Sequence, residues 1–254
     1  MERIRNSNLI TFTTRQGPRD YQGDYHVIQR VEGTDFYGWL LAIFDGHVDK
    51  TVAEFCAREA GKIYNLTNPD YAEESLSNLI KELATYTEEF EAGSTASVVL
   101  VLESHDKVSA AVLGDSPVVV LDKNGQFHVS PSHNVRTNFE ERSAAEKLGG
   151  VYLDGYIYIK DGDHGLQLSR VLGDVNLGEI ISRVPEVYSV NEPQWILLAS
   201  DGVFDSTHEN TDYLFGEIKE MAKNKFTAEK IIEWAEDRGL DDNATAIVWS
   251  KSLI

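Results

Sequence analysis

Short aliphatic and β-branched runs, alternating or continuous, occupy residues 27–31, 40–44, 97–102, 108–113, 118–121, 196–199 and 245–249. Runs of that length and make-up predict strands, whose side chains point by turns to two faces. The polar links Ser104-His105-Asp106-Lys107 and Lys123-Asn124-Gly125 are too short for a helical crossover, so the strands they join should form antiparallel hairpins.

A helical period replaces the strand pattern in five segments. Behind Asp49 as cap, Val52, Phe55, Cys56, Ala60, Ile63 and Tyr64 share one face, and Leu76, Leu79, Ile80, Leu83 and Phe90 repeat the spacing, which predicts a packed pair. Asn138 with Glu141 at the third helical position reads as a capping box opening a short helix that ends at Gly149-Gly150. Residues 213–222 and 227–238 predict a second pair, closed by Gly239. Residues 188–193 read as a turn-like connection and residues 154–165 as a hairpin or flap. With no repeat and no linker, residues 1–254 are expected to form one domain. Strand runs broken by helix pairs predict an α+β fold: a central sandwich of two antiparallel β-sheets flanked by pairs of α-helices.

Composition narrows the function. None of the apolar runs approaches the roughly 18–20 residues that cross a bilayer, and MERIRNSNLITF lacks the apolar centre of a secretory signal, so a cytoplasmic protein is expected. The formal net charge of -19 repels nucleic acid and anionic membranes, and neither is expected as a partner. It would repel phosphate esters as well, unless cations sit in the site. The single cysteine, Cys56, lies on an apolar helical face and reads as a small buried hydrophobe, not a nucleophile.

Two apolar runs end on a carboxylate, in WLLAIFDGH (39–47) and WILLASDGVFD (195–205). Asp24 precedes a strand, Asp45 and Asp201 end strands, Asp115 follows Leu113-Gly114, and Asp242 leads into the last strand. In an antiparallel sandwich the strand ends on one side share a rim, so these five carboxylates should converge, with Gly46, Gly114 and Gly202 allowing close backbone approach. One Asp-Gly is a common turn signal; five converging aspartates repel one another unless dications lie between them. Oxygen donors alone point to Mg²⁺ or Mn²⁺ and away from zinc. A calcium loop at DGDHGLQLSRVL (161–172) fails, because its sixth and twelfth positions are Leu166 and Leu172.

In these residues the chain resembles the metal-dependent protein phosphatases of the 2C type. The stretches are RDYQGDY (19–25), FDGH (44–47), AGSTASVVLV (92–101), VLGDS (112–116), SHNVRTNFEERSAAEKLGGVY (132–152), LQLSRVLGD (166–174), VPEVY (184–188), SDGVFD (200–205) and DDNATAIVW (241–249). The resemblance implies that Asp45 bridges two ions, with the Gly46 carbonyl also on metal. It implies that Asp201 and Asp242 complete one metal position, that Asp24 holds metal-associated water, and that Asp115 with Asp201 can hold a third ion. Arg19 falls at the phosphate-binding arginine and His47 at a proposed general acid. Two ions about 3.5–4 Å apart would activate a shared water to attack phosphoserine or phosphothreonine in line, with no protein nucleophile. The expected partners are phosphorylated proteins, and the enzyme is expected to act as a monomer.

Arg170 and Asp174 read as braces of the fold near the site, and Asp205 either as an outer support or as a helix cap. The chain departs from the family at Gly23, at Val48-Asp49 where Gly-Gly is usual, at Pro117 in place of arginine and at Phe204 in place of tryptophan; none removes an implied ligand. A non-catalytic binding relative and a phosphatase of small phosphorylated metabolites are the competing readings.

Overall fold

The computed structural model describes residues 8–204 and 211–252; Asp205 lies outside them. In chain order the elements are β1 (Leu9–Arg15), β2 (Asp24–Glu32), β3 (Tyr37–His47), α1 (Thr51–Ile63), α2 (Ala72–Thr87), β4 (Gly93–Ser94), β5 (Ala96–Leu102), β6 (Lys107–Leu113), β7 (Val118–Asp122) and β8 (Phe127–Val129). There follow α3 (Phe139–Lys147), β9 (Gly150–Leu153), β10 (Tyr156–Ile159), β11 (Gly165–Leu166), β12 (Leu172–Gly173), β13 (Glu186–Asn191), β14 (Pro193–Ala199), α4 (Thr211–Lys223), α5 (Ala228–Arg238) and β15 (Ala244–Ser250).

One sheet runs β1-β15-β14-β7-β8; the other runs β12-β4-β3-β5-β6-β13, with β2 paired to β3, and every strand pairing is antiparallel. The alternation along each strand assigns the layers. On β3, Leu40, Ala42 and Phe44 pack under α1 and α2, while Leu41 and Ile43 face the second sheet. Val99 and Val101, Val108, Ala110 and Val112, Ile196 and Leu198, and Ile247 and Trp249 fill the space between the sheets. Leu197, Ala199, Ala246 and Val248 point the other way, into the core beneath α4 and α5. The result is the expected sandwich of two sheets with a helix pair on each side. A third small sheet, β11-β10-β9, projects beside it. No helix among the described residues is long and apolar enough to cross a membrane.

Two local expectations need correction, and strand β1 was not foreseen. Residues 188–193 are not a connection: 188–191 belong to strand β13, paired along its length with β6, and the turn is confined to Glu192, whose φ is 55°. Strand β1 arises from LITFTTR, whose threonines hide the alternation, because Thr13 is buried although polar. Asn138 does cap α3, accepting from the N–H groups of Glu140 and Glu141. Glu141, however, does not complete the box: its carboxylate turns inward to Arg170 and Ser169.

Candidate active site

The rim of the sandwich is where the phase that fills the inter-sheet core turns polar. On β3 the face carrying Leu41 and Ile43 continues to Asp45, and the register of β2 sets Asp24 directly opposite it. On β14 the face of Ile196 and Leu198 continues to Ser200, whose hydroxyl donates to Asp24 Oδ2 at 2.7 Å. Beside β3, Thr95 locks Asp45 by accepting its N–H at 3.1 Å and donating its own N–H to the Asp45 carbonyl at 2.9 Å.

Asp115 follows Gly114, which has a φ of 106° open to glycine, and Asn134 Nδ2 donates to Asp115 Oδ2 at 2.9 Å. Asp201 opens a single 3-10 turn directly after Ser200. Asp242 sits two residues ahead of β15, its Oδ1 accepting the Asn243 N–H at 2.7 Å. The structure therefore brings all five aspartates together. Burial, and then the charges of Asp24, Asp201, Asp115 and Asp242, hold the Asp45 carboxyl well above the usual carboxylate range. Burial pushes Asp24 up to about 6 against the opposing bond from Ser200, and burial raises Asp242 as well.

Asp45, Gly46, His47, Asp115, Asp201, Asp242 and Arg19 line one cleft of about 500 Å³, with Asp24 buried beneath it. The donor set fits hard dications: it is all oxygen, mutually repulsive, and includes a buried atom, Asp24 Oδ1, that has no hydrogen-bond partner among the described residues. Gly46 has no spare room, since a Cβ there would stand 3.0 Å from the Gly23 carbonyl oxygen.

Arg19 and His47 enter the same cleft with partners of their own. Arg19 Nη2 lies 2.5 Å from Asp242 Oδ2, and its Nε donates to the Asp241 carbonyl. His47 Nε2 lies 2.6 Å from Oδ2 of Asp174, a carboxylate with no exposed surface. Val48 has a left-handed backbone, with a φ of 70°, and the expected cap is displaced: the N-cap position of α1 is Lys50, which makes no side-chain cap bond, while Asp49, two residues before the helix, accepts the Thr51 N–H at 2.7 Å.

A second group with metal-ligand chemistry, His133, Glu141 and Glu186, has its donor atoms within 4.8 Å of one another. Arg170 already fills it, with Nη2 at 2.6 Å from Glu141 and 3.3 Å from Glu186. Burial and that guanidinium push His133 down to about 4, so the group is an ion network joining α3 to β13.

Sequence reasoning missed Ser200, Thr95, Asn134 and the reach of Asp174 to His47. Ser200 and Thr95 could have been found, as polar residues standing in the phase of a buried strand; Asn134 and Asp174 lie on irregular segments without a period to read.

The architecture recurs in solved structures. A sex-determining protein of C. elegans superposes with a TM-score of 0.75 at 23% identity, over 96% of this chain and 64% of that one. The serine-threonine phosphatase 2C of Toxoplasma gondii gives 0.68 at 20%, over 96% and 95%, and a serine/threonine phosphatase of Staphylococcus aureus gives 0.68 at 23%, over 97% and 96%. In sequence, a protein of Oryza sativa subsp. japonica named "Probable protein phosphatase 2C 62" is 32% identical over 244 residues, 89% of this chain and 80% of that one. Another of Paramecium tetraurelia, "Probable protein phosphatase 2C 2", is 28% identical over 269 residues, 91% and 84%. The family model described as "Protein phosphatase 2C" matches residues 38–244, a span that runs from strand β3 to the first residue of β15. Fold and sequence thus agree: the chain belongs to the protein phosphatase 2C family.

Proposed function

We propose that the protein is a Mg²⁺- or Mn²⁺-dependent phosphatase acting on phosphoserine and phosphothreonine in cytoplasmic proteins, as a monomer. The observation that supports this reading most is Asp45, ringed by four further carboxylates in a cleft that also contains Arg19 and His47. Asp45, the Gly46 carbonyl, Asp201 and Asp242 would hold two ions, with Asp24 beneath them on associated water, and Asp115 with Asp201 would take a third. When bound, such ions supply a hydroxide nucleophile near neutral pH and neutralise phosphoryl oxygens.

The chain's own residues do the rest. Arg19 offers a planar fork to two phosphate oxygens, which Lys cannot match. Asp174 can only accept at His47 Nε2, so Nδ1 is the nitrogen left to give a proton to the departing serine or threonine oxygen. Cys56 takes no part: it is buried, and burial pushes its thiol up to about 12.

The test is hydrolysis of a phosphoserine peptide with and without metal. Turnover should need added Mn²⁺ or Mg²⁺, stop with chelator and survive thiol-blocking reagents. Asp201→Asn should abolish turnover with the circular dichroism spectrum unchanged. Equal rates in excess chelator would refute the metal mechanism, and metal binding without hydrolysis across a broad phosphopeptide panel would make the chain a binding module.

A further inference from the structure

His47 ends β3, and its ring is held from behind by Asp174. That contact exists only because residue 93, on the neighbouring strand β4, is glycine: a Cβ there would collide with both Asp174 Oδ2 and His47 Nε2. Asp174 is itself fixed, with a left-handed φ of 53° and its N–H donated to the Ala92 carbonyl at 3.1 Å.

The other carboxylate oxygen, Asp174 Oδ1, faces Nε2 of His164 at 3.5 Å. Both atoms are buried, and neither has a hydrogen-bond partner among the described residues. A buried polar group left unpaired costs about 1–3 kcal/mol, and closing this gap to an ordinary N–H···O distance needs a shift of only about 0.5 Å. His164 immediately precedes β11, the strand that joins the small projecting sheet to the cleft; Tyr156 of β10 and Leu166 of β11 line that cleft. An ester seated there touches the same sheet that carries His164.

We propose that His164 is a positioning residue for the phosphatase reaction: it closes on Asp174 as substrate settles against the small sheet, and through Asp174 fixes the ring of His47. A carboxylate held at one oxygen can swing about that bond, whereas one held at both oxygens presents a fixed plane to its partner. In the step this serves, a water-derived oxygen bonds to phosphorus in line as the phosphorus–oxygen ester bond breaks, its electron pair passing to the ester oxygen. That oxygen takes the proton from His47 Nδ1, and the ring keeps its Nε2 proton on Asp174. The inference rests on the phosphatase reading of the cleft.

Two esters separate this role from a structural one. A serine alkoxide leaves only when protonated, whereas 4-nitrophenolate leaves readily without an acid. His164→Leu should lower kcat on a phosphoserine peptide about tenfold, a part of what a general acid supplies. KM should stay within about twofold and 4-nitrophenyl phosphate lose less than about threefold. His164→Gln, which retains a donor, should recover most of the loss, and in a His47→Ala background His164→Leu should add little. Equal losses on both esters, no loss on either, or full additivity with His47→Ala would overturn the proposal, provided thermal unfolding shows the variants folded. If the unaltered protein with Mn²⁺ hydrolyses neither ester, the phosphatase reading fails first and this inference with it.

Discussion

Arg19 rests on a carboxylate that the proposed function also assigns to metal. Its side chain is 54% exposed, and an ion pair in that setting is worth about 0–1 kcal/mol, so its transfer to a phosphate costs little. Arg19→Ala should therefore raise KM for a phosphopeptide about tenfold or more, equivalent to about 1.4 kcal/mol, with a smaller fall in kcat. Arg19→Lys should recover only part, because the fork is lost; an unchanged KM in Arg19→Ala would remove the residue from phosphate binding. Val48 makes a second test. A β-branched residue in left-handed backbone is strained by roughly 1–2 kcal/mol, and this one is 62% exposed and has little packing to offset that. After the entropy glycine adds to the unfolded chain, Val48→Gly should gain about 0.5–1 kcal/mol, read as a rise of roughly 1–4 °C in melting temperature. A fall would show that the valine side chain has a role in the cleft. The aspartates were readable because each interrupts an apolar run at a strand end. Their supports were not, since a polar side chain that braces another is chosen by contacts between distant segments.

At the scale of elements, legibility followed the contrast between buried and exposed faces. Strands β3, β5, β6 and β14 were plain because burial on both sides makes them continuous aliphatic runs. Strand β13 was hidden: it lies on the edge of its sheet, its residues are mostly half-buried, and Tyr188, Ser189 and Asn191 give no clean alternation. The short strands of the small sheet carry still less pattern, and the hairpin expectation for residues 154–165 captures β10 and the start of β11 but not β9. Helix α3 is tied to the sandwich through Arg170, which pairs with Glu141 of α3 and with Glu186 of β13; the Arg170 and Glu141 side chains are at most one-fifth exposed. Breaking a buried pair by removing one partner leaves the other charge stranded, at a cost of about 3–5 kcal/mol. Arg170→Ala should lower the denaturant midpoint accordingly, and a shift below about 1 kcal/mol would mean that Glu141 finds water or another donor.

For the whole molecule, gathering five carboxylates at one rim of a chain with net charge -19 makes stability depend on pH and metal together. The sign follows from Asp24. Its folded carboxyl titrates at about 6 against an ordinary 3.8, so as pH rises the unfolded chain loses its proton first. This group's contribution is complete below pH 3.8 and is lost as pH climbs to 6; Asp45, raised well above the ordinary value, adds in the same direction. Acidification meets an opposing limit at Glu141, lowered by its bonds to Arg170 and Ser169, whose contribution fades only below the ordinary carboxylate value of 4.5. Metal-free protein should therefore be most stable at about pH 4 to 4.5 and lose stability towards neutrality. The Asp24 shift corresponds to on the order of 3 kcal/mol in full, of which the part lost between pH 5 and pH 7.5 is about 1.4 kcal/mol, or roughly 3–6 °C in melting temperature. Dications among the carboxylates remove the repulsion that neutral pH creates, so Mn²⁺ or Mg²⁺ should raise the melting temperature at pH 7.5 far more than at pH 5. Melting curves of chelator-treated protein across that range, repeated with each ion, give both numbers. A metal-free melting temperature flat in pH and indifferent to dications would mean that the five carboxylates do not share one field, and the cleft would lose its claim to be a metal centre.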